Sequence, residues 1–397
     1  MRKEYTMKNT DYDFESLIDR HNTDCVKWDW FDDDLPMWVA DMDFKVAPAI
    51  NEAILKRARH PVYGYTIVSD ELFESYMGWW SRRYDLEMSR EDMAYAMGVM
   101  PSISSMIRCL TRENDEILIQ SPVYHVFYYV IEENNRRVLE NELTYENGEY
   151  SIDFDDLDDK LSRVDLMILC NPQNPIGKIW SREDLDRINE LCKKHDVIVI
   201  SDEIHCDLTD PGKTYNPFKA EDHVIRCLSP SKSFNIAGFQ SSIVHATNRE
   251  LLEKIKAQLH VDNSDSCNVF ATTAVIAAYN DSEEWFEGLR QALYDNKQTV
   301  KEYLTEELPV VKLVECDATY LLWLDCSALN TQSKALSEFL RQNQGLFLSA
   351  GSDFGQCGDN FLRMNIACPP DLLKQGLDKL KAGVIALNNI NRLSRNI

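Results

Sequence analysis

Three short apolar runs in the middle of the chain stop at residues that a buried strand does not favour. VDLMILC (164–170) gives way to NPQNPIG, VIVIS (197–201) to DEIH, and VIRCL (224–228) to SPSK. Each run is of strand length and apolar without alternation, the pattern of a strand covered on both faces. Between the first two lies SREDLDRINELCKKHD, with Ser181 and Asp184 at capping-box spacing and Leu185, Ile188, Leu191 and Cys192 on one apolar stripe. Strand, amphipathic helix and strand in this order predict an α/β fold, with a mostly parallel sheet covered by helices on both faces. Ligands of such sheets bind just beyond the carboxyl ends of the strands. If the three runs share one sheet, they deliver Asn174, Asp202 and Lys232 to one crevice: an amide, a carboxylate and an amine.

The rest of the composition narrows the function classes. The 397 residues are 44% hydrophobic and 27% charged, the balance of a globular protein with room for a large core and a second lobe. Asp and Glu total 66 against 42 Lys and Arg, a net charge of -24 that repels phosphate backbones and anionic membranes, so nucleic acid is not an expected partner. No run approaches the roughly 18 to 20 apolar residues of a membrane span. The opening MRKEYTMKNTDYDFES has no apolar core, so no secretory signal is expected. Eleven cysteines are scattered without a C-x-x-C pair, which predicts a reducing cytoplasm in place of a disulfide framework, and eight dispersed histidines predict no metal site. DFDDLDDK (153–160) is the densest acidic run and reads as a solvated surface helix.

One cofactor suits the crevice. Pyridoxal phosphate needs a lysine to form an imine with its aldehyde and a carboxylate to keep its ring nitrogen protonated. It also needs a donor at its phenolic oxygen and a cup of donors for its phosphate. Asn174, Asp202, Ser229, Ser231 and Lys232 meet these demands. The order N-P-x-N-P-x-G, then D-E, then S-x-S-K resembles the fold-type I aminotransferase-like enzymes that use this cofactor. PMWVADMDF (36–44), YGYT (63–66), SPVYHVF (121–127), CNPQNPIGK (170–178), SDEIHCDL (201–208), SPSKSFNIAGFQ (229–240) and FLRMNIACP (361–369) resemble, within them, the MalY/PatB group of carbon–sulfur β-lyases. The seven motifs span nearly the whole chain in family order.

The resemblance implies a role for each matched residue. Lys232 forms the imine and shuttles the α-proton, and Asp202 anchors the ring nitrogen. Asn174 stands beside the phenolic oxygen and the substrate, and Tyr124 stacks on the cofactor ring. The amides of Val99 and Met100, at the start of the helix suggested by PSISSMIRCL, meet the phosphate together with Ser229 and Ser231. Tyr65 reaches the phosphate of the neighbouring subunit, which makes the active unit a homodimer. In FLRMNIACP, alternation sets Arg363 and Asn365 opposite Leu362, Met364 and Ile366 on a half-buried strand, and Arg363 suits a substrate α-carboxylate; a structural salt bridge is the bland alternative. Trp38 is either an apolar wall of the substrate entrance or a core residue.

Two departures from the broader aminotransferase pattern match the lyase group. Gln240 stands where many of those enzymes carry a phosphate-binding arginine. His205 replaces a tyrosine that contacts the phenolic oxygen, and either touches the cofactor or packs nearby.

After α-proton removal the same intermediate either transaminates or expels a β-thiolate. The leading expectation is therefore a cystathionine or cysteine-conjugate β-lyase giving pyruvate, ammonia and a thiol or sulfide, and the alternative enzyme is an aminotransferase. A regulatory or interaction protein that keeps the cofactor fold is the reading from another class. The expected division is a large cofactor domain over 46–285 and a smaller α/β lobe built from 1–45 and 286–397, with the stretch DSEEWFEGLR (281–290) starting the connecting helix.

Overall fold

The computed structural model describes residues 12–31 and 34–394; residues 1–11 of the expected smaller lobe lie outside them. Seven strands form the larger sheet: β1 Met93–Ala96, β2 Glu116–Ile119, β3 Arg137–Glu140, β4 Leu166–Cys170, β5 Ile198–Asp202, β6 Val224–Leu228 and β7 Ser242–His245. Their order is β1-β7-β6-β5-β4-β2-β3. β7 is antiparallel to both neighbours, and the pairs from β6 to β3 are parallel. The three apolar runs of the sequence are thus adjacent strands β4, β5 and β6. Cys170 pairs with Asp202 and Asp202 with Cys227, so the strand ends, and the loops they launch, lie side by side.

Side chains alternate between two apolar layers, as strand geometry requires. Ile168, Cys170, Ile200 and Ile225 pack with helices Val99–Leu110 and Arg249–Val261, whereas Met167, Leu169 and Val199 pack with helix Arg182–Lys194. That last helix begins as the capping spacing predicts, since Ser181 Oγ accepts from Asp184 N at 3.0 Å. Its stripe buries Leu185, Ile188 and Cys192, and Leu191 is half-buried. Asn189 is buried beside them because its Nδ2 donates to Glu221 Oε1 at 2.8 Å. The acidic run forms helix Phe154–Leu161, capped by Asp153, whose side chain accepts from Asp155 N and Asp156 N.

A second, antiparallel sheet has the order β8-β9-β11-β10, from β8 Lys312–Leu313, β9 Leu321–Asp325, β10 Ser349–Ala350 and β11 Phe361–Asn365. Helix Glu283–Glu307 packs against β8 and against helix Pro370–Ser394. The half-buried strand expected at FLRMNIACP is corrected here: all five residues of β11 are buried. Leu362 and Met364 pack into a core with Leu336, Leu340, Leu373 and Leu377. The Arg363 and Asn365 face is covered by an N-terminal strap, residues 37–43, which donates from Asp43 N to Ala367 O and accepts Asn365 N at Met37 O. Just before the strap, Leu35–Pro36 pairs in parallel with Leu346–Phe347. No helix among the described residues is long and apolar enough to cross a membrane, and all eleven cysteines are free thiols.

Candidate active site

The loops leaving β4, β5 and β6 meet the start of helix Val99–Leu110 around a cavity of about 200 Å³. Asp202 closes β5, Asn174 lies four residues beyond β4, and Lys232 lies four beyond β6. Val99, Met100, Tyr124, His205, Ser231 and Gln240 line the same cavity. The helix starts two residues earlier than its apolar pattern suggested, so Val99 and Met100 are its first turn, where backbone N–H groups lack intrahelical acceptors. Gly98 makes that sharp entry with φ +117°, a conformation that side-chain-bearing residues rarely adopt.

Burial sets the charges. Asp202 is buried and its carboxyl is pushed up to about 7; Glu203 adds to the rise, while the Ile204 N–H, donating to Oδ1 at 3.1 Å, and Lys232 oppose it. Burial also lowers the Lys232 amine to about 8, helped by Arg363 and opposed by Asp41 and Asp202. Its Nζ donates to Ala40 O at 2.7 Å. His205 is held near 3 by burial, Lys232 and Arg363, so its ring is neutral at pH 7. The His205 Nδ1 is buried with no hydrogen-bond partner.

Arg363 answers the salt-bridge alternative. It is buried, and among the described residues no carboxylate pairs with it. Nη2 donates to Trp38 O at 2.8 Å and Nη1 to Asn174 Oδ1 at 3.3 Å, the guanidinium lies over the Phe354 ring at 4.6 Å, and Nε is left buried without a partner. Burial lowers its pKa to about 10. A buried cation without an anion is costly unless a ligand supplies one, and the free Nε beside a neutral asparagine suits a carboxylate guest.

Four expected residues are outside this cavity's lining: Arg363, which reaches it through Asn174, and Ser229, Trp38 and Tyr65, the last of them expected at a neighbouring subunit's site. Ser229 is not in the cavity lining, because its Oγ donates to Ser241 O at 2.7 Å and accepts Ser231 N at 3.1 Å. The Trp38 ring stacks on Phe347, centroids 5.1 Å apart, and it is the Trp38 carbonyl that serves Arg363. Tyr65 is fully exposed and outside the cavity. Sequence reasoning missed Ser241, which lines the cavity with a buried Oγ that has no partner, and Cys170, whose Sγ accepts Asn174 N at 3.4 Å. It also missed Tyr320, for which no local pattern gives a signal, and Ala40, which stands inside the PMWVADMDF motif but acts through its carbonyl.

An amine made partly neutral by burial, a buried carboxyl, a neutral imidazole and a helix N-terminus around one small cavity, with an unpaired guanidinium bonded to its Asn174, define a site for imine chemistry on amino acids. A model of the family described as aminotransferase class I and II matches residues 39–380, and the chain belongs to that family. It is 38% identical over 384 residues to cystathionine beta-lyase PatB of Bacillus subtilis, covering 94% of this chain and 99% of the relative. It is 32% identical to protein MalY of Escherichia coli, covering 92% and 97%. Among solved structures, the PLP-bound C-S lyase from Staphylococcus hominis superimposes with a TM-score of 0.89 at 31% identity, over 94% of this chain and 98% of that one.

Proposed function

We propose that this protein is a pyridoxal phosphate-dependent carbon–sulfur β-lyase, cleaving L-cystathionine, L-cysteine or related cysteine S-conjugates to pyruvate, ammonia and a thiol or sulfide. The observation that carries the proposal is that Lys232, Asp202 and Asn174 line one cavity, with Arg363 bonded to Asn174 behind that wall, in a chain related over 94% of its length to a cystathionine β-lyase.

The residues present fit the cofactor. Asp202 is buried with one oxygen engaged by Ile204 N, and a protonated ring nitrogen is the partner that makes its ionised form favourable there. The Val99 and Met100 amides and the Ser231 and unpartnered Ser241 hydroxyls offer the phosphate neutral donors, with Gln240 beside them in place of a cation. Ser229 acts one step back, by accepting the Ser231 N–H. Tyr124 offers a ring face, and neutral His205 lines the cavity with its ring edge-on to Tyr320.

When bound, pyridoxal phosphate supplies an aldehyde for amine exchange and a ring that accepts electrons from the substrate α-carbon. Arg363 and Asn174 hold the substrate carboxylate and so fix where the α-hydrogen points. Lys232 Nζ takes that proton, a task its lowered pKa suits near neutral pH.

A homodimer completes this reading. Val62, Tyr63, Tyr65 and Ile67 are all exposed on one loop, an apolar edge that a second copy would cover while Tyr65 reached its phosphate. The division into a cofactor domain over 46–285 and a lobe from 1–45 and 286–397 is supported by the two separate sheets, and a cytoplasmic location by the free thiols. The test is a product assay: purified protein given L-cystathionine or L-cysteine releases pyruvate with no keto acid added. Amino transfer that occurs only when a keto acid is supplied would replace the lyase with an aminotransferase. A purely regulatory role predicts neither reaction.

A further inference from the structure

The Ala40 carbonyl serves two donors at once, Lys232 Nζ at 2.7 Å and the Tyr320 hydroxyl at 3.2 Å. Its position is fixed on both sides. Trp38 O accepts from Arg363 Nη2 at 2.8 Å and from Ser349 Oγ at 3.1 Å. Val39 O and Asp41 O both accept from Asn365 Nδ2, at 2.6 and 2.7 Å, and Met42 O accepts from Asn235 Nδ2 at 3.1 Å. Five successive carbonyls are thus held by side chains, and Ala40 is the middle one.

Tyr320 is as firmly placed. It is 1% exposed, its own carbonyl accepts Ile366 N at 2.9 Å, and its ring meets His205 edge-on. Burial raises its phenol well above the ordinary value, with Asp41 and Tyr124 adding to the rise and Arg363 opposing it, so the hydroxyl keeps its proton as a donor. A carbonyl oxygen has two lone pairs. Tyr320 takes one, and the other is left for the lysine.

We propose that Tyr320 is a positioning residue for proton removal: its hydroxyl orients the Ala40 carbonyl as a dock for the Lys232 amine whenever that amine is not covalently engaged. This rests on Lys232 being the base of the proposed function. In the step concerned, the Nζ lone pair takes the α-hydrogen as a proton and the C–H electron pair stays with the substrate carbon. The ammonium so formed donates to Ala40 O, the group already held beside it. The carbonyl therefore fixes the amine before transfer and meets its charge afterwards.

The test compares holoenzyme and its Tyr320→Phe variant with L-cystathionine carrying hydrogen or deuterium at the α-carbon. A base held less well should lower kcat about 10- to 100-fold with KM little changed, and should raise the α-deuterium isotope effect as proton removal becomes slower relative to other steps. A variant that had merely lost folded, active enzyme would lower kcat without moving the isotope effect. A second readout needs no turnover. An α-methyl amino acid displaces the lysine but has no α-hydrogen to lose, and its binding is followed by the cofactor's visible absorption. Loss of the dock should weaken that binding about five- to tenfold. Unchanged kcat in Tyr320→Phe, or unchanged analogue binding, would overturn the proposal. The isotope effect reports α-proton removal in transamination as well as elimination, so failure of the lyase reading, seen as absent pyruvate from wild type, is distinguishable from failure of this one.

Discussion

Lys232 and Asp202 are displaced in opposite directions by the same burial, and each displacement has a measurable consequence. Lys232→Ala should abolish both turnover and the imine absorption of the bound cofactor; normal lyase activity in that variant would refute its role. Asp202→Asn removes the charge opposite the ring nitrogen and should cut kcat on the order of 10²- to 10³-fold, measured by pyruvate release. A carboxyl whose folded pKa exceeds its unfolded value adds stability that is complete below the unfolded value and is lost as pH rises through the folded one. For Asp202 those limits are near 3.8 and about 7. Cofactor-free protein should therefore lose on the order of 4 kcal/mol from this group across that window, and urea midpoints at pH 5 and pH 8 should differ less in Asp202→Asn than in wild type. Lys232, Asp202, Asn174 and Arg363 were legible in the sequence because each sits at a strand end or strand face that a short pattern reveals. Ala40 and Tyr320 were not, since Ala40 works through its carbonyl and its partners stand 192 and 280 residues away.

At the level of elements, unbroken apolar runs ending in polar loops were enough to place three parallel strands, because a strand covered on both faces has no polar side to display. The same logic misled at β11, where the alternation of Arg363 and Asn365 with apolar residues reads as one wet face. That face is dry, and Arg363 Nη2 and Asn365 Nδ2 donate to carbonyls of a segment more than 300 residues earlier in the chain, while Arg363 Nε is left without a partner. The turn into helix Val99–Leu110 gives a sharper test. A Cβ on Gly98 would meet Pro101 Cδ at 3.5 Å, an ordinary contact, so the penalty of Gly98→Ala lies in holding φ near +117°. That strain costs about 1–3 kcal/mol. The variant should melt at lower temperature and bind pyridoxal phosphate more weakly, because relaxing the turn moves the Val99 and Met100 amides; unchanged affinity would dissociate the helix start from the phosphate.

For the whole molecule, the exposed loop bearing Val62, Tyr63, Tyr65 and Ile67 bears on assembly. With a chain of 46.0 kDa, sedimentation at micromolar concentration should give twice that mass. Tyr65→Phe should keep the dimer yet weaken cofactor binding, whereas a monomeric wild type would leave Tyr65 without the role assigned to it. The α/β class and the presence of a second lobe could be read from the chain, since periodicity and length carry both. How the two sheets are joined could not, because the strap between them has no periodicity and is bonded through its backbone carbonyls and through Asp41 and Asp43 to partners that no local pattern names.

That strap has a consequence for how such a chain can change over time. From Trp38 to Met42 each carbonyl accepts from a side-chain donor, Val39 and Asp41 sharing Asn365 Nδ2, and the donors are drawn from β11, from the loop after β6 and from the edge of β9. Substitutions there alter only side chains, and the peptide oxygens stay where they are. Removing or adding one residue would offer every donor its neighbour's acceptor. Length is therefore constrained at every position of the segment, whereas identity is constrained only where a side chain is itself engaged, as at buried Met42 and ion-paired Asp41, and gaps should be selected against more strongly than replacements.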